Sequence, residues 1–592
     1  MRQGSPGNRA ALSRSWSPHL RPARIDAVNK PTPAIVAQGA VRRLPRAALL
    51  LFCIAYALPG LIGRAPWKSA DMASFGYMLE MARGNTSWTD PMLLGLRPEA
   101  DGLLPYWLGA MAIQAFGGWM DPAAAARLPF FVLLGMAMVA TWYAAYFLAR
   151  KPQAQPVAFA FGGEAKPSDY ARAIADGGLL ALIACLGLAQ LGHEITTSVA
   201  QLCFAAVAFY GVAAIGQRRG LPEVATLLGL CGLALSGAPS LAALFGLGSA
   251  LLHSLAVRDD ATDNRWRAVA AIAVATLAVI AVASALDLWR WRVLLPQDAG
   301  SKDWRTLGRL LVWFTWPAWP LVLWTLWRWR FQIFTRSVNL HLALPLWFAA
   351  VTLTATLTTK PADRALLLAL PALATLAAFA LPTLQRSVAA LIDWFTLLFF
   401  TGCGVVIWVV WIAMQTGFPK QPAANVPRQA PGFEAVFSLP VFLVALAATL
   451  VWGWLVHWRV GRHRAAIWKS MVLPAGGAAL CWVLLMTLWM PLLDFVRSYT
   501  VVVRNVSTVV GTPECIQEIG LSREQIAAFQ YHGGFKILSN PHQARCPWLL
   551  VSADARLGLQ GHVNNRQWQL QATVRRPSDK ADDVLLFGRT RP

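Results

Sequence analysis

The most informative part of this sequence follows the first apolar segment and runs from Arg64 to Leu108. It begins RAPWKSADMASFGYMLEMAR (residues 64–83) and ends LLPYWL (residues 103–108). An isolated carboxylate, Asp71, precedes a run whose apolar residues fall on one helical face, and aromatic residues follow. Nearly everything after this insert is apolar with short connections. A long polar insert in such a chain predicts a polytopic enzyme rather than a simple channel.

The composition of the whole chain is that of a membrane protein. Of its 592 residues, 56% are hydrophobic and 14% are charged, whereas a soluble protein carries about a quarter charged residues. Apolar runs recur at about the twenty residues that a helix needs to cross a bilayer. The segments of this kind are 45–63, 127–148, 177–192, 197–216, 222–236, 240–257, 268–287, 310–327, 340–357, 365–382, 388–413, 437–456 and 471–493. We therefore predict an α-helical polytopic membrane protein with about 13 transmembrane helices.

The net charge of +23 reflects membrane topology and does not predict nucleic-acid binding. Lys and Arg concentrate in the N-terminal tail and in alternate short loops such as 218–219, 328–336 and 459–469. This is the positive-inside pattern, with a contribution from contacts with anionic membrane lipids. It predicts a cytoplasmic N-terminus in the bacterial inner membrane, and thirteen spans then place the C-terminus in the periplasm.

The chain divides into three predicted regions. Residues 1–44 are rich in Arg, Pro and Ser, which predicts a disordered basic cytoplasmic tail without a cleavable signal. Residues 45–493 form the transmembrane domain, and its first periplasmic loop covers residues 64–127. Within that loop, residues 103–118 are too few to span comfortably and are predicted to form a juxtamembrane helix with Tyr106 and Trp107 at headgroup level.

Residues 494–592 are predicted to be a small periplasmic α+β domain. Helical periodicity covers residues 522–530, and alternating patterns predict strands at 498–503, 535–538, 548–551, 567–574 and 584–587. Cys515 and Cys546 both fall here, and two cysteines in an external domain are expected to form a disulfide. The other six cysteines lie in predicted spans. Because no CxxC pair exists, a structural zinc site is not expected.

Asp71 admits two interpretations. Asp is a good N-cap residue, and Asp71 stands at the start of a predicted helix. Alternatively, its carboxylate points into a cavity at the membrane surface, where it accepts a proton from an incoming hydroxyl or amine. Both interpretations predict that Asn at position 71 preserves stability, because Asn caps helices as well as Asp does.

The order and spacing of several motifs resemble those of the GT-C glycosyltransferases. The likeness is greatest to family 39 and to the aminoarabinose transferases that modify lipid A. The motifs are Asp71 with Gly84, Trp88, Pro91, Gly95 and Tyr106-Trp107-Leu108, then Ala126-Arg127-Leu128-Pro129, then Lys360-Pro361, Arg364-Ala365-Leu366-Leu367 and Pro371-Ala372-Leu373-Ala374. Thirteen spans followed by an external domain also match this family.

The resemblance implies an enzyme that moves a sugar from a polyprenyl-phosphate carrier to a periplasmic lipid A, glycan or protein acceptor, with inversion. It implies that Asp71 activates the acceptor and that Lys360 and Arg364 bind the lipid phosphate. Tyr106 and Trp107 then support the loop against the headgroups. No cofactor is expected, and a divalent metal remains open.

The chain departs from the family pattern at three places. Met72 stands where the family has Glu, Asp101-Gly102-Leu103 replaces Lys-Pro-Pro, and Thr197-Ser198 occupies the second acidic position. Nearby, His193 and Glu194 are either an interfacial helix end or a substitute acid and base.

Two other functional classes fit parts of the sequence. A lipid or sugar transporter or flippase usually buries ionisable residues in its spans, whereas the polar residues here concentrate in external loops. A divergent scaffold protein without transferase activity is the third possibility. The basic loop with Arg290, Arg292, Lys302 and Arg305 either grips an anionic lipid or forms an aromatic belt with solvated charges.

Overall fold

The structure is a computed structural model that describes most of the chain. The described residues are 32–61, 63–99, 102–256, 265–289, 301–335, 337–359, 362–460, 466–539, 546–553, 555, 567–576 and 582–590, without the side chains of residues 301, 302 and 460.

Helices make up most of the described chain, and a small sheet lies near its C-terminal end. The helices are α1 (Arg46–Ala57), α2 (Ala70–Ala82), α3 (Leu104–Phe116), α4 (Pro122–Ala149), α5 (Pro167–Ala184), α6 (Leu186–Leu191), α7 (Thr197–Ala214), α8 (Leu221–Leu235), α9 (Pro239–Leu255), α10 (Arg265–Ala285), α11 (Ser301–Phe314), α12 (Ala318–Arg328), α13 (Arg330–Ile333), α14 (Leu340–Thr358), α15 (Ala362–Leu367), α16 (Leu370–Ala380), α17 (Arg386–Thr416), α18 (Lys420–Gln429), α19 (Leu439–Val460), α20 (Val472–Leu485), α21 (Met490–Arg497), α22 (Thr500–Val510) and α23 (Arg523–His532). The strands are β1 (Ile516–Ile519), β2 (Ile537–Leu538), β3 (Trp548–Ser552), β4 (Trp568–Val574) and β5 (Val584–Arg589).

Each predicted span overlaps at least one helix, although several of these helices are short or interrupted. Among the described residues, seven helices are long and apolar enough to cross a membrane, and a bent pair makes an eighth. The long helix α4 shows how the sequence sets such an element. The Asp121 side chain caps it by accepting hydrogen bonds from Ala123 N and Ala124 N, and Pro122 fits the first turn because it has no N–H to satisfy. The predicted α-helical polytopic class is therefore confirmed.

The predicted span 310–327 is sharply bent. The segment 310–327 is not one straight helix, because α11 and α12 meet at an angle of 85° around Thr315, Trp316 and Pro317. A hydropathy average over this segment cannot detect the bend, since both arms contain apolar residues.

Contacts between loops show which ends of the helices lie on the same side. The loop after α1 meets α21, where Lys68 N donates a hydrogen bond to Arg497 O at 2.9 Å. At the opposite ends, Gln217 Nε2 donates to Phe147 O at 2.9 Å, which joins the loops that follow α7 and α4. The first loop and the C-terminal domain therefore lie at the same ends of the helices.

The segment before α1 is packed against the protein. Ala34 and Val36 are buried, and Ala37 forms a β-bridge with Glu164 in the loop between α4 and α5. The predicted disordered tail therefore does not extend over residues 32–44, because apolar side chains there bury against that loop. Residues 1–31 lie outside the described part of the chain.

The C-terminal region is the predicted small α+β domain. Its sheet has the order β2-β1-β3-β5-β4, in which β1 pairs parallel with β2 and β3, and β5 pairs antiparallel with β3 and β4. Cys515 and Cys546 form a disulfide beside β1 and β3. The predicted strand at 498–503 is wrong, since this segment begins α22. Val502, Val506 and Val510 recur every four residues and bury one helical face.

The C-terminal domain packs directly on the first loop. Helix α23 lies against α2, and a Cβ added to Gly76 would stand 2.5 Å from the Ala527 Cβ. Around this contact, the Phe75 and Tyr531 rings meet edge to face with centroids 4.7 Å apart. The domain thus fixes the helix that carries Asp71.

Candidate functional site

Asp71 is buried at the start of α2, where it binds groups from two loops. Its Oδ2 accepts hydrogen bonds from Arg64 Nη2 and Trp67 N, each at 3.0 Å, and its Oδ1 accepts from Ile195 N at 2.7 Å. The N-cap position belongs to Ser69, and the Asp71 side chain does not bond to the N–H groups of its own helix. The N-cap interpretation is therefore wrong. The carboxylate instead joins the first loop to the connection between α6 and α7.

Arg64 is the partner of Asp71, and the sequence analysis did not single it out. Both side chains of this ion pair have no exposed surface. Arg64 Nη2 also donates to His193 O at 2.9 Å, and the guanidinium lies 4.5 Å from the Trp67 ring centroid. Its Nε and Nη1 are buried and have no hydrogen-bond partner among the described residues. A buried cation with unpaired donors suits an anionic ligand.

A second ion pair adjoins the first. Arg364 Nη2, on α15, lies 2.9 Å from Glu194 Oε2. The Glu194 side chain is 4% exposed, whereas the Arg364 side chain is 22% exposed. Burial raises the pKa of Glu194, the Asp71 charge adds to this effect, and Arg364 opposes it. A buried carboxylate with a partly exposed cationic partner is suited to accept a proton.

His193 lies next to Glu194, but both its ring nitrogens are engaged. Nδ1 is 2.5 Å from Ala189 O, and Nε2 is 2.9 Å from Tyr56 O. A neutral imidazole carries one N–H, so only one contact can be a hydrogen bond in that form. Burial lowers the pKa of His193 to about 4, which favours the neutral ring at neutral pH. His193 therefore ties α6 to α1 and is poorly placed for proton transfer.

More charged residues surround Trp67. Asp494 Oδ1, on α21, accepts from Ala65 N at 3.0 Å and from Trp67 Nε1 at 2.9 Å. The Arg497 guanidinium lies 5.3 Å from the same ring. Burial lowers the pKa of Arg497, the Glu194 charge opposes this, and the Arg64 charge adds to it.

Arg127, in the predicted motif at the start of α4, is also buried. It is 3% exposed, and its Nε and Nη2 have no hydrogen-bond partner within the described residues. A narrow cleft beside it is lined by Ala57, Gly60, Leu61, Phe130, Phe131, Leu134, Gly192 and His193. Arg64 and Arg364 pair with Asp71 and Glu194, and Arg127 and Arg497 lie near enough for the charges of Asp71 and Glu194, respectively, to influence their pKa values.

The remaining predicted residues lie elsewhere or outside the described part. Lys360 is outside the described residues. The Tyr106 ring centroid is 5.6 Å from that of Tyr77, and Trp107 Nε1 donates to Trp88 O at 2.7 Å. Tyr106 is 3% exposed, so its predicted position at the headgroups is wrong. Tyr106 and Trp107 instead brace the first loop from within.

The sequence carries no local signal for the inward orientation of two buried arginines. Arg64 directly follows the predicted span 45–63, and Arg127 is the first residue of the predicted span 127–148, positions at which a cation usually extends to the headgroups. In the described ranges, no three His, Cys, Asp or Glu side chains group as a metal site would need.

Comparison with solved structures identifies the fold. The chain superimposes on the crystal structure of ArnT from Cupriavidus metallidurans bound to undecaprenyl phosphate, with a TM-score of 0.57 and 13% sequence identity over 92% of this chain and 97% of that one. The apo form of that protein gives a TM-score of 0.54 and 14% identity over 92% and 96%. The oligosaccharyltransferase of Archaeoglobus fulgidus, tethered with an acceptor peptide, gives 0.40 and 12% over 93% and 74%.

No protein-family model and no curated protein sequence matches the chain. The structural likeness extends over nearly all of it, and the GT-C fold predicted from the sequence is therefore confirmed.

Proposed function

We propose that this protein is a membrane glycosyltransferase that moves a sugar from a polyprenyl-phosphate carrier to an acceptor hydroxyl. The observation that carries the proposal is the adjacent placement of two ion pairs, Arg64–Asp71 and Arg364–Glu194, beneath the first loop. The Arg64–Asp71 pair has no exposed surface, whereas the Arg364–Glu194 pair is partly exposed through the Arg364 side chain. The GT-C fold and the undecaprenyl phosphate bound to the ArnT neighbour support this kind of function.

Glu194 is the proposed proton acceptor. In the reaction, the acceptor oxygen attacks the anomeric carbon while the bond between that carbon and the phosphate oxygen breaks. The carrier leaves as polyprenyl phosphate, the acceptor proton passes to Glu194, and the configuration inverts because one displacement occurs. A raised pKa makes Glu194 a stronger base than an ordinary glutamate, provided that it is ionised.

Asp71 has a different proposed role, because its side chain has no exposed surface through which a substrate could reach it. It holds Arg64 in place and fixes Ile195 N, the group that follows Glu194 in the chain. His193 likewise positions this connection through its contacts with α1 and α6.

Arg364, whose side chain is partly exposed, is proposed to bind the carrier phosphate directly. Arg64 has no exposed surface, and its Nε and Nη1 have no hydrogen-bond partner among the described residues, so its proposed contribution is positive charge from the protein interior. Guanidinium groups bind phosphate oxygens through paired hydrogen bonds, which suits a leaving phosphate. Lys360, four residues before Arg364, is proposed to add a further cation.

The proposed setting is the bacterial inner membrane. The site and the C-terminal domain face the periplasm, and the N-terminus is cytoplasmic, as the Lys and Arg distribution predicts. The donor is a polyprenyl-phosphate-linked sugar, and the acceptor is lipid A, another glycan or a protein. Membrane lipids surround the spans, and no cofactor enters the proposed reaction.

The test measures release of polyprenyl phosphate from a panel of synthetic undecaprenyl-phosphate sugars, with the protein in nanodiscs. We expect the rate to fall at low pH as Glu194 becomes protonated. The midpoint of this fall should lie at a higher pH than the pKa of an ordinary glutamate. Arg364→Ala removes the cation that lowers the pKa of Glu194, so the midpoint should move to a still higher pH. Glu194→Gln should abolish release.

Glu99→Gln is the control for loss of a carboxylate, because the Glu99 side chain is 82% exposed in the first loop and pairs with Arg523 at the surface. Its rate and pH profile should equal those of the unmodified protein. An active Glu194→Gln protein would exclude Glu194 as the base. Movement of a labelled carrier across vesicles without sugar transfer would instead support a flippase.

A further inference from the structure

The helix α11 is set almost perpendicular to its neighbour. It spans residues 301–314 and meets α12 at 85°. Beyond α12, Gln332 Nε2 donates to Gln153 O at 3.4 Å, so the far end of α12 lies near the loop that follows α4. If α12 follows the other membrane helices, α11 must run along the membrane plane. It does so on the side of the candidate site, because Leu186 N, at the start of α6, donates to Trp316 O at 3.1 Å.

The charges of α11 exclude a path through the bilayer core. Lys302, Asp303, Arg305 and Arg309 fall within its fourteen residues. Charged side chains are strongly unfavourable in the hydrocarbon, and an isolated re-entrant segment would have to bury several of them. The interface, where charges reach headgroups and water, is the environment that accommodates this helix.

The two faces of α11 differ in composition. Leu307, Leu310, Leu311 and Phe314 follow helical spacing, and Phe314 is 7% exposed. Arg305 and Arg309 are exposed on the other side, and Trp304 and Trp313 are about half exposed, at 55% and 53%. Exposed arginines flanked by tryptophans are typical of a helix at the headgroup level.

We propose that α11 is a membrane-surface helix that binds anionic lipid headgroups through Arg305 and Arg309. The phosphate of an anionic phospholipid such as phosphatidylglycerol supplies the complementary charge, and guanidinium groups bind it well. Asp303 stands in the first turn, one helical turn or more from Arg309, so the cationic end of the helix lies toward α12. The two tryptophans set the depth of the helix at the interface.

Docking of α11 also fixes elements of the candidate site. The Phe314 ring packs on Gly187 of α6 so closely that a Cβ there would lie 2.3 Å from the ring. Helix α11 contacts α6 and α15, and these elements carry or precede Glu194 and Arg364. Binding of α11 to lipid would therefore also stabilise the elements that position the Glu194–Arg364 pair, an inference that rests on the proposed function.

The test places a fluorophore on Gly308→Cys and measures quenching by spin-labelled phosphatidylglycerol or phosphatidylcholine headgroups in nanodiscs. A Cβ at Gly308 meets no atom within 4 Å, so the substitution should be tolerated. Gly402→Cys on α17 is the control, since its Cβ position is equally open and lies on a helix predicted to face the hydrocarbon. Labelling of the unmodified protein gives the background from its other cysteines.

We expect headgroup quenching at position 308, at least twice as strong with phosphatidylglycerol, and no such preference at 402. Arg305→Gln with Arg309→Gln should remove the preference while phosphatidylcholine still quenches. Equal quenching by both lipids would overturn the anionic recognition. No quenching would overturn the membrane placement and leave α11 as a surface for water or a protein partner.

This outcome is independent of transfer activity. If the protein shows the phosphatidylglycerol preference but transfers no sugar from any donor, the lipid-binding role of α11 stands and the proposed function is wrong. If it transfers sugar without the preference, the proposed function stands and the lipid-binding role of α11 is wrong.

Discussion

Replacing Asp71 with Asn should destabilise the protein strongly, in contrast to the neutral effect that the sequence alone predicts. The carboxylate accepts three hydrogen bonds and faces a guanidinium, and neither side chain of the pair is exposed. An amide carries no charge and turns its NH2 group toward at least one of these donors. Removing one partner of a buried ion pair costs about 3–5 kcal/mol, because the other charge stays buried and unpaired.

The measurement compares unfolding free energies of the purified variants in mixed micelles at increasing fractions of sodium dodecyl sulfate. Asp90→Asn is the matched control, because Asp90 and Arg97 form an ion pair in the same loop with side chains 41% and 51% exposed. An exposed pair contributes about 0–1 kcal/mol, so this control should unfold nearly as the unmodified protein does.

A double substitution separates the charge effect from a general packing defect. Arg64→Met with Asp71→Asn leaves no isolated charge in the interior, so it should be more stable than Asp71→Asn alone. An Asp71→Asn protein within about 0.5 kcal/mol of the unmodified one would refute the reasoning. It would mean that the pair is solvated in the membrane-embedded protein.

Two further predictions concern the C-terminal domain. Cys515 and Cys546 are separated by 31 residues, so reducing their bond should lower the stability of that domain by about 3–4 kcal/mol, measured by its thermal unfolding with and without a reductant; detection of both thiols in the denatured, unreduced protein would contradict the pairing. Gly76→Ala places a Cβ 2.5 Å from that of Ala527 and should destabilise the contact between α2 and α23 by about 1–3 kcal/mol, visible as faster proteolytic release of the domain. Gly135→Ala, where a Cβ meets nothing within 4 Å, is the control for a helical glycine, and equal effects at both positions would exclude the packing explanation.

The membrane class and most of the helical segments could be predicted from the sequence alone. Bilayer thickness and hydrophobicity act on each segment separately, so a local pattern is sufficient to find a span. The alternation from Trp548 to Val551 likewise predicted a strand that the structure has. At 498–503 a run of valines, which favour strands, led to a wrong strand prediction. Val506 and Val510 beyond this run continue the buried face of helix α22.

Only the tertiary structure decided which polar residues act together. Asp71 bonds to Ile195 across 124 residues of sequence, and Glu194 meets Arg364 across 170. Local periodicity reports whether a residue is buried but carries no information about its distant partner. Arg64 shows the consequence most clearly. Its position after a span predicts a side chain extended to the headgroups, yet the packing of two loops and the C-terminal domain turns it inward to a carboxylate.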